Sequence, residues 1–176
     1  MAAAEAAIGP DTAGIIVEPI QSMSGIVEPP KGYLAALERL CRDRGALLIF
    51  DEVQTGLGRT GAPSAAISYG VKPHLQTFAK ALGSGVPSGA VVAAAEIGAK
   101  LKPGDLGSTF GGGPLACAAI HATADAIRSQ RLWENAAAME ALIRISFKFK
   151  GLKSIRGMGL LLGLEFDKPV TWIRDA

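Results

Sequence analysis

Ala46-Leu-Leu-Ile-Phe-Asp51 decides the architecture. An unbroken apolar run closed by an acid, too short for a helix, reads as a strand buried on both faces, the kind found in parallel sheets. Upstream, Ala13-Gly-Ile-Ile-Val17 follows the turn signal Gly9-Pro-Asp11 and reads as a second such strand, delivering Glu18-Pro19 at its C-terminal end. Between them, Pro29-Pro30 opens a segment where Tyr33, Leu34, Leu37, Leu40 and Cys41 recur at helical spacing until Gly45. Strand, helix, strand in this length predicts a parallel sheet with crossover helices. Ligands gather outside the carboxyl ends of such strands, so Asp51 stands where chemistry is expected, although a helix cap or turn carboxylate would look the same in isolation.

Working outward, Leu75-Gln-Thr-Phe78 is a third candidate strand and Gly89-Ala-Val-Val-Ala-Ala94 a fourth. Ala79-Lys80-Ala81-Leu82 and the flexible Gly83-Ser-Gly-Val-Pro87 lie between them. Small residues and glycines around a lysine let a backbone approach a ligand, whereas alone Lys80 would read as an ordinary surface lysine. Past Gly107-Ser-Thr-Phe-Gly-Gly-Gly113 the character changes: 114–127 is alanine-rich and helical, 133–147 is a second helical segment, and Leu152 to Phe166 forms one or two strands broken by Gly157 and Gly159. A domain boundary is expected near Gly113, dividing the chain into 1–112 and 113–176.

The composition suits a soluble globular piece. The 176 residues include 18 basic and 16 acidic side chains, a formal net charge of +2, scattered and not gathered into a stripe, which disfavours nucleic acid as a partner. Cys41 and Cys117 have no metal-ligand spacing and read as reduced, buried thiols, so no metal site is expected. The start, Met1-Ala-Ala-Ala-Glu-Ala-Ala7, lacks the parts of a secretory signal, and no apolar run reaches the ~20 residues that span a bilayer. A cytoplasmic setting without membrane contact is the expectation.

Three stretches become specific when read together: Ile49-Phe-Asp-Glu-Val-Gln-Thr-Gly-Leu-Gly-Arg-Thr-Gly61, then Thr77-Phe-Ala-Lys-Ala-Leu-Gly-Ser-Gly-Val-Pro-Ser-Gly-Ala90, then Gly107-Ser-Thr-Phe-Gly-Gly112. Their order and spacing closely resemble the class III aminotransferases, most of all the acetylornithine and ornithine enzymes, and the likeness runs from about Gly14 to Phe166. It implies an α/β fold: part of the fold-type I large domain that binds pyridoxal 5'-phosphate, with a mostly parallel sheet and crossover helices, followed by the start of an α+β small domain. Lys80 then corresponds to the catalytic lysine that forms a Schiff base with the cofactor, Asp51 to the carboxylate facing the ring nitrogen, and Gln54 to the amide near the ring's phenolic oxygen. Ser108 and Thr109 match the position where a hydroxyl reaches the cofactor phosphate of the other subunit of a homodimer, with Thr109 the preferred contact; a helix cap before Pro114 is the alternative. Arg156 matches the arginine that grips a substrate carboxylate, and Glu18 a supporting carboxylate at a strand end.

These roles agree with elementary chemistry. Breaking a Cα–H bond leaves electrons that the ring accepts only while its nitrogen stays protonated, which a neighbouring carboxylate secures. A desolvated lysine is neutral enough to carry the proton. A guanidinium holds a carboxylate through two parallel hydrogen bonds.

The resemblance implies transfer of an amino group from an ω-amino or N-acetylated diamino acid, acetylornithine favoured, to a 2-oxo acid such as 2-oxoglutarate. An aminomutase-like enzyme on the same scaffold and a non-catalytic remnant are the alternatives. Family members are longer chains, with most of the phosphate loop and the ring-stacking aromatic before the point matching Met1, so a fragment is expected. Gln21 is followed by Ser22-Met23-Ser24-Gly25, whereas relatives carry a glutamate that pairs with the arginine matched by Arg156. Met23 cannot make that pair, so Arg156 is expected to be less masked.

Overall fold

The computed structural model describes residues 1–170. A four-stranded sheet is built from β1 (Gly14–Val17), β2 (Leu47–Asp51), β3 (Leu75–Phe78) and β4 (Ala90–Ala93), in that spatial order. The first three strands are parallel, with Val17 beside Phe50 and Asp51 beside Thr77. β4 runs antiparallel to β3 and pairs Ala90 with Phe78, so the chain between them doubles straight back. This is the mostly parallel α/β sheet expected.

Helix α1 (Ala2–Ala7) precedes the sheet, and α2 (Tyr33–Arg44) is the crossover from β1 to β2. Gly45 ends α2 in the left-handed conformation, donating its N–H to the Arg42 carbonyl. The apolar stripe of α2 meets β2: Leu34, Leu37 and Cys41 pack with Leu48 and Phe50 in a core that also holds Ala66 and Val71. Each large apolar side chain buried there contributes about 1.5–3 kcal/mol. Burial pushes the Cys41 thiol above its ordinary pKa. His74 fixes β2 against β3 through a side-chain bond, its Nδ1 accepting the Leu48 N–H at 2.9 Å while its own N–H donates to the Leu48 carbonyl at 2.8 Å.

A short helix the sequence did not suggest, α3 (Ala65–Tyr69), lies between β2 and β3. Its first turn is held by Glu52, which is 1% exposed: the carboxylate accepts the N–H groups of Ala65 at 2.7 Å and Ala66 at 3.0 Å, and the Thr55 hydroxyl at 3.3 Å. Ser64 caps the same turn, its Oγ accepting the Ile67 N–H at 3.4 Å, so the cap role considered for Asp51 falls to Ser64 and Glu52.

Beyond β4 come α4 (Ala95–Gly98), α5 (Pro114–Ser129) and α6 (Leu132–Ser146), then the antiparallel pair β5 (Leu152–Met158) and β6 (Leu161–Phe166). The break in the last apolar stretch falls at Gly159-Leu160, whereas Gly157 lies inside β5. The hairpin tip docks on the loop after β2, with the Leu160 N–H donating to the Arg59 carbonyl at 2.8 Å. A Cβ on Gly159 would sit 2.4 Å from that same carbonyl oxygen, so only glycine permits this approach. Arg144 of α6 grips β5 from outside, donating to the carbonyls of Ile155 and Gly157, both at 2.7 Å. Cys117 corrects the expectation of two buried thiols: it lies on the exposed side of α5, and only Cys41 is buried. Among the described residues no helix is long and apolar enough to cross a membrane, and no group of three metal-ligating side chains forms.

Candidate active site

The site lies where the parallel strands end. β2 stops at Asp51, half-buried, whose Oδ1 accepts the Val53 N–H at 3.0 Å and the Thr77 hydroxyl at 3.3 Å. The two bonds lock the carboxylate's orientation and occupy one oxygen. Oδ2 accepts no hydrogen bond from the described residues. The carboxylate lines a cleft of about 320 Å³ with Ile16, Val17, Glu18 and Gln21 at the end of β1.

Three residues past Thr77 on the adjacent strand, Lys80 opens a 3₁₀ turn (Lys80–Gly83) that sends the chain back into β4. Lys80 has φ +52°, a left-handed conformation that costs a residue with a side chain about 1–2 kcal/mol. Strain of this kind persists only where the surroundings dictate it, and both flanking strands do so here. Lys80 and Gln54 line one small cleft with Gly56, Leu57 and Arg59. A Cβ on Gly56 would lie 2.6 Å from the Phe78 ring, so this loop can close on β3 only through glycine.

The strand edge therefore brings Lys80 and Gln54 together, whereas Asp51 on the neighbouring strand faces a separate cleft. The Lys80 side chain is exposed, so the desolvation expected of it is not supplied by the described residues. Glu18 points along the loop after β1, its Oε2 accepting the Ser22 N–H at 3.2 Å and the Ser22 hydroxyl at 2.9 Å. Thr77 and Arg59 were missed by sequence reasoning. Thr77 could have been found only from the strand register, and Arg59 was visible inside the quoted motif without a stated role.

Ser108 and Thr109 sit on an exposed loop and line neither cleft. Ser108 Oγ accepts the Gly111 N–H at 3.1 Å. Neither residue caps α5, whose N-cap is Gly113 with no side-chain hydrogen bond, so the cap alternative does not hold.

Arg156, on β5, lies apart from both clefts and beside the loop that follows Glu18. A Cβ on Gly25 would be 3.5 Å from its Nη2. That loop is pinned to the hairpin by Glu28, which accepts the Gly157 N–H at 2.7 Å, and by Ile26, strained at φ +56° and packed against the space that Gly157 and Gly163 leave open. The negative charge of Glu28 adds to burial in raising the Tyr69 phenol, pushed up to about 12. Met23 is 90% exposed.

The class III aminotransferase family matches residues 1–175. The chain belongs to that family. Acetylornithine aminotransferases of Methanothermobacter thermautotrophicus and Neisseria meningitidis are 44% and 45% identical to it, over 97% and 96% of this chain but 45% and 44% of their own lengths. The ornithine aminotransferase of Toxoplasma gondii superposes with a TM-score of 0.86 at 40% identity, covering 94% of this chain and 41% of that one. The acetylornithine aminotransferase of Elizabethkingia anophelis gives 0.86 at 36% identity, covering 95% and 44%. This class III chain thus spans less than half the length of the relatives it matches. These neighbours in structure are aminotransferases, as the fold-type I reading expected, and the Toxoplasma gondii ornithine enzyme holds pyridoxal phosphate at partial occupancy in its active site.

Proposed function

We propose that the protein acts as a pyridoxal-phosphate-dependent transaminase, moving an amino group from an ω-amino or N-acetylated diamino acid, acetylornithine favoured, to a 2-oxo acid such as 2-oxoglutarate. The observation that carries this reading is the strand edge that holds Lys80 strained beside Gln54 and Asp51 orientated one strand away. Residues 1–112 are read as the later part of the cofactor-binding domain and 113–176 as the beginning of the small domain. Residues 171–176 of the latter lie outside the described residues. The setting is read as the cytoplasm and the assembly as a homodimer, to whose partner site the exposed Ser108 and Thr109 would offer hydroxyls.

The residues fit the cofactor. Asp51 keeps one oxygen free of donors from the described residues, as a partner for a protonated ring nitrogen requires, while Val53 and Thr77 fix its direction. Gln54 offers an amide to a phenolic oxygen from the cleft that Lys80 shares. When bound, pyridoxal phosphate supplies the electron sink for the pair left when a substrate Cα–H bond breaks. Lys80 would hold the cofactor covalently, and its Nζ would take up the proton from substrate Cα. Arg156 orients the substrate through its carboxylate, and Glu18 shapes the loop between them by its bonds to Ser22.

The test is to add pyridoxal phosphate to the purified chain, reduce with borohydride and map the labelled peptide. A single adduct on Lys80, lost in Lys80→Ala, is expected. Labelling scattered over many lysines, or none, would overturn the reading for this chain.

A further inference from the structure

We propose that Arg59 is a carboxylate subsite within the Lys80 cleft, a place for an anionic group of the molecule that reacts at Lys80. The proposal rests on the reading of Lys80 as the imine-forming lysine given above.

The cleft measures about 70 Å³, and the polar side chains among its lining residues are those of Gln54, Arg59 and Lys80. Two are cations and the third is an amide. No carboxylate among the described residues lines the cleft to balance them, since Asp51 faces the separate one. A cleft lined by one sign of charge focuses its field and draws in the opposite ion. Capture of a carbonyl compound consumes the Lys80 amine, which leaves Arg59 to face the charge that the captured molecule carries.

The base of Arg59 is fixed while its tip is free. Its N–H donates to the Gly56 carbonyl at 3.2 Å and its carbonyl accepts the Leu160 N–H at 2.8 Å. The next residue, Thr60, is 4% exposed and donates its hydroxyl to the Thr55 carbonyl at 3.4 Å. The side chain is exposed, and the ion pairs among the described residues engage Arg42, Arg128, Arg131, Arg144 and Arg156 but not Arg59. Acids on adjoining elements are committed: Glu52 to the start of α3, and Glu140 to Arg144 and the Gly159 N–H. A guanidinium with unspent donors on an anchored main chain suits the two parallel bonds of a carboxylate, and the anchoring lowers the cost of forming them.

The experiment treats the whole chain with aldehydes and cyanoborohydride and reads the adducts by mass spectrometry. The lysine amine and the aldehyde condense to an imine with loss of water, and hydride from cyanoborohydride with a proton yields a stable secondary amine. Glyoxylate and succinic semialdehyde carry a carboxylate; acetaldehyde and butyraldehyde match them in carbon number without the charge. The ratio of charged to neutral labelling at Lys80 is divided by the same ratio at Lys72, an exposed lysine before β3. For at least one pair the quotient should reach about two to five, the range spanned by exposed ion pairs. Arg59→Gln should bring it to about one, and Arg59→Lys, which keeps the charge without the fork, should retain part of it. A quotient of one in the parent, or one that survives in Arg59→Gln, would overturn the proposal while leaving Lys80 as the imine-forming lysine. Capture of pyridoxal phosphate that falls in Arg59→Gln while capture of pyridoxal holds, with the aldehyde quotient unchanged, would make Arg59 a phosphate contact and overturn the carboxylate assignment. A Lys80 that no aldehyde labels would overturn this proposal and the reading of Lys80 together.

Discussion

Glu52→Ala should be among the most damaging single changes in the chain, although Glu52 touches neither cleft. Its buried carboxylate satisfies the N–H groups of Ala65 and Ala66 at the start of α3 and the hydroxyl of Thr55. Truncation strands two backbone donors, each costing about 1–3 kcal/mol when left unmade, so a loss of roughly 2–6 kcal/mol is expected. Glu52→Gln keeps one acceptor oxygen but turns an amide N–H₂ toward a donor, and should lose roughly 1–3 kcal/mol. Urea denaturation followed by circular dichroism measures both. A Glu52→Ala midpoint equal to that of the parent would refute the reasoning. pH adds a second signature. Burial raises the Glu52 carboxyl above the ordinary glutamate value against the lowering effect of its three hydrogen bonds, so the folded state binds this proton more tightly than the unfolded state does. The stability margin of the parent over Glu52→Gln should therefore be largest below the ordinary glutamate range and shrink as pH rises through the raised value. A margin that grows with pH would show the sign to be wrong.

Gly159→Ala should detach the hairpin tip from Arg59 and destabilise the fold by more than about 1 kcal/mol, since the new Cβ meets the Arg59 carbonyl oxygen at 2.4 Å and the residue sits at φ +58°. Thermal melts beside Gly104→Ala, also at positive φ but with open space around it, isolate the clash. His74→Ala should cost about 1–3 kcal/mol by leaving the Leu48 N–H without its side-chain acceptor, and His74→Asn should recover part of that loss in the same denaturation assay. Thr77→Val should leave the fold intact but loosen Asp51, weakening pyridoxal phosphate uptake severalfold as read by titration of the visible absorbance.

Much of this was legible in the residues. The apolar runs ending at Val17 and Phe50 gave strands, and Gly45 closed α2 where an αL position was needed, but the expected burial on both faces is not met among the described residues, where Ile16 is 62% exposed and only alternate residues of β2 are fully buried. The motifs around Asp51 and Lys80 placed both at the carboxyl edge. What stayed hidden depends on long-range geometry. Helix α3 is short, and although Ser64 caps it locally, the N–H groups of Ala65 and Ala66 are taken by Glu52, 13 residues before Ala65, outside any local capping pattern. Cys117 belongs to a helix so rich in alanine that no sequence contrast separates its covered side from its exposed side. The antiparallel direction of β4 follows from a reversal at Lys80, in a conformation that lysine seldom adopts. Pairing of Arg156 with Glu165 across β5 and β6 needed the register of a hairpin whose turn position composition alone left open.

The bond from Gly157 to Glu28 joins residues 129 apart in sequence, whereas the lysine edge is assembled from neighbours within one stretch of sheet. Closing so long a loop pays off only after the intervening elements have condensed. During synthesis the strands bearing Asp51 and Lys80 can pair while the hairpin is still unmade, and the corner around Arg156 comes together only once the last strands arrive. Maturation of this protein therefore has an order written into it, with the lysine edge able to exist before the hairpin is docked on the loop after β1.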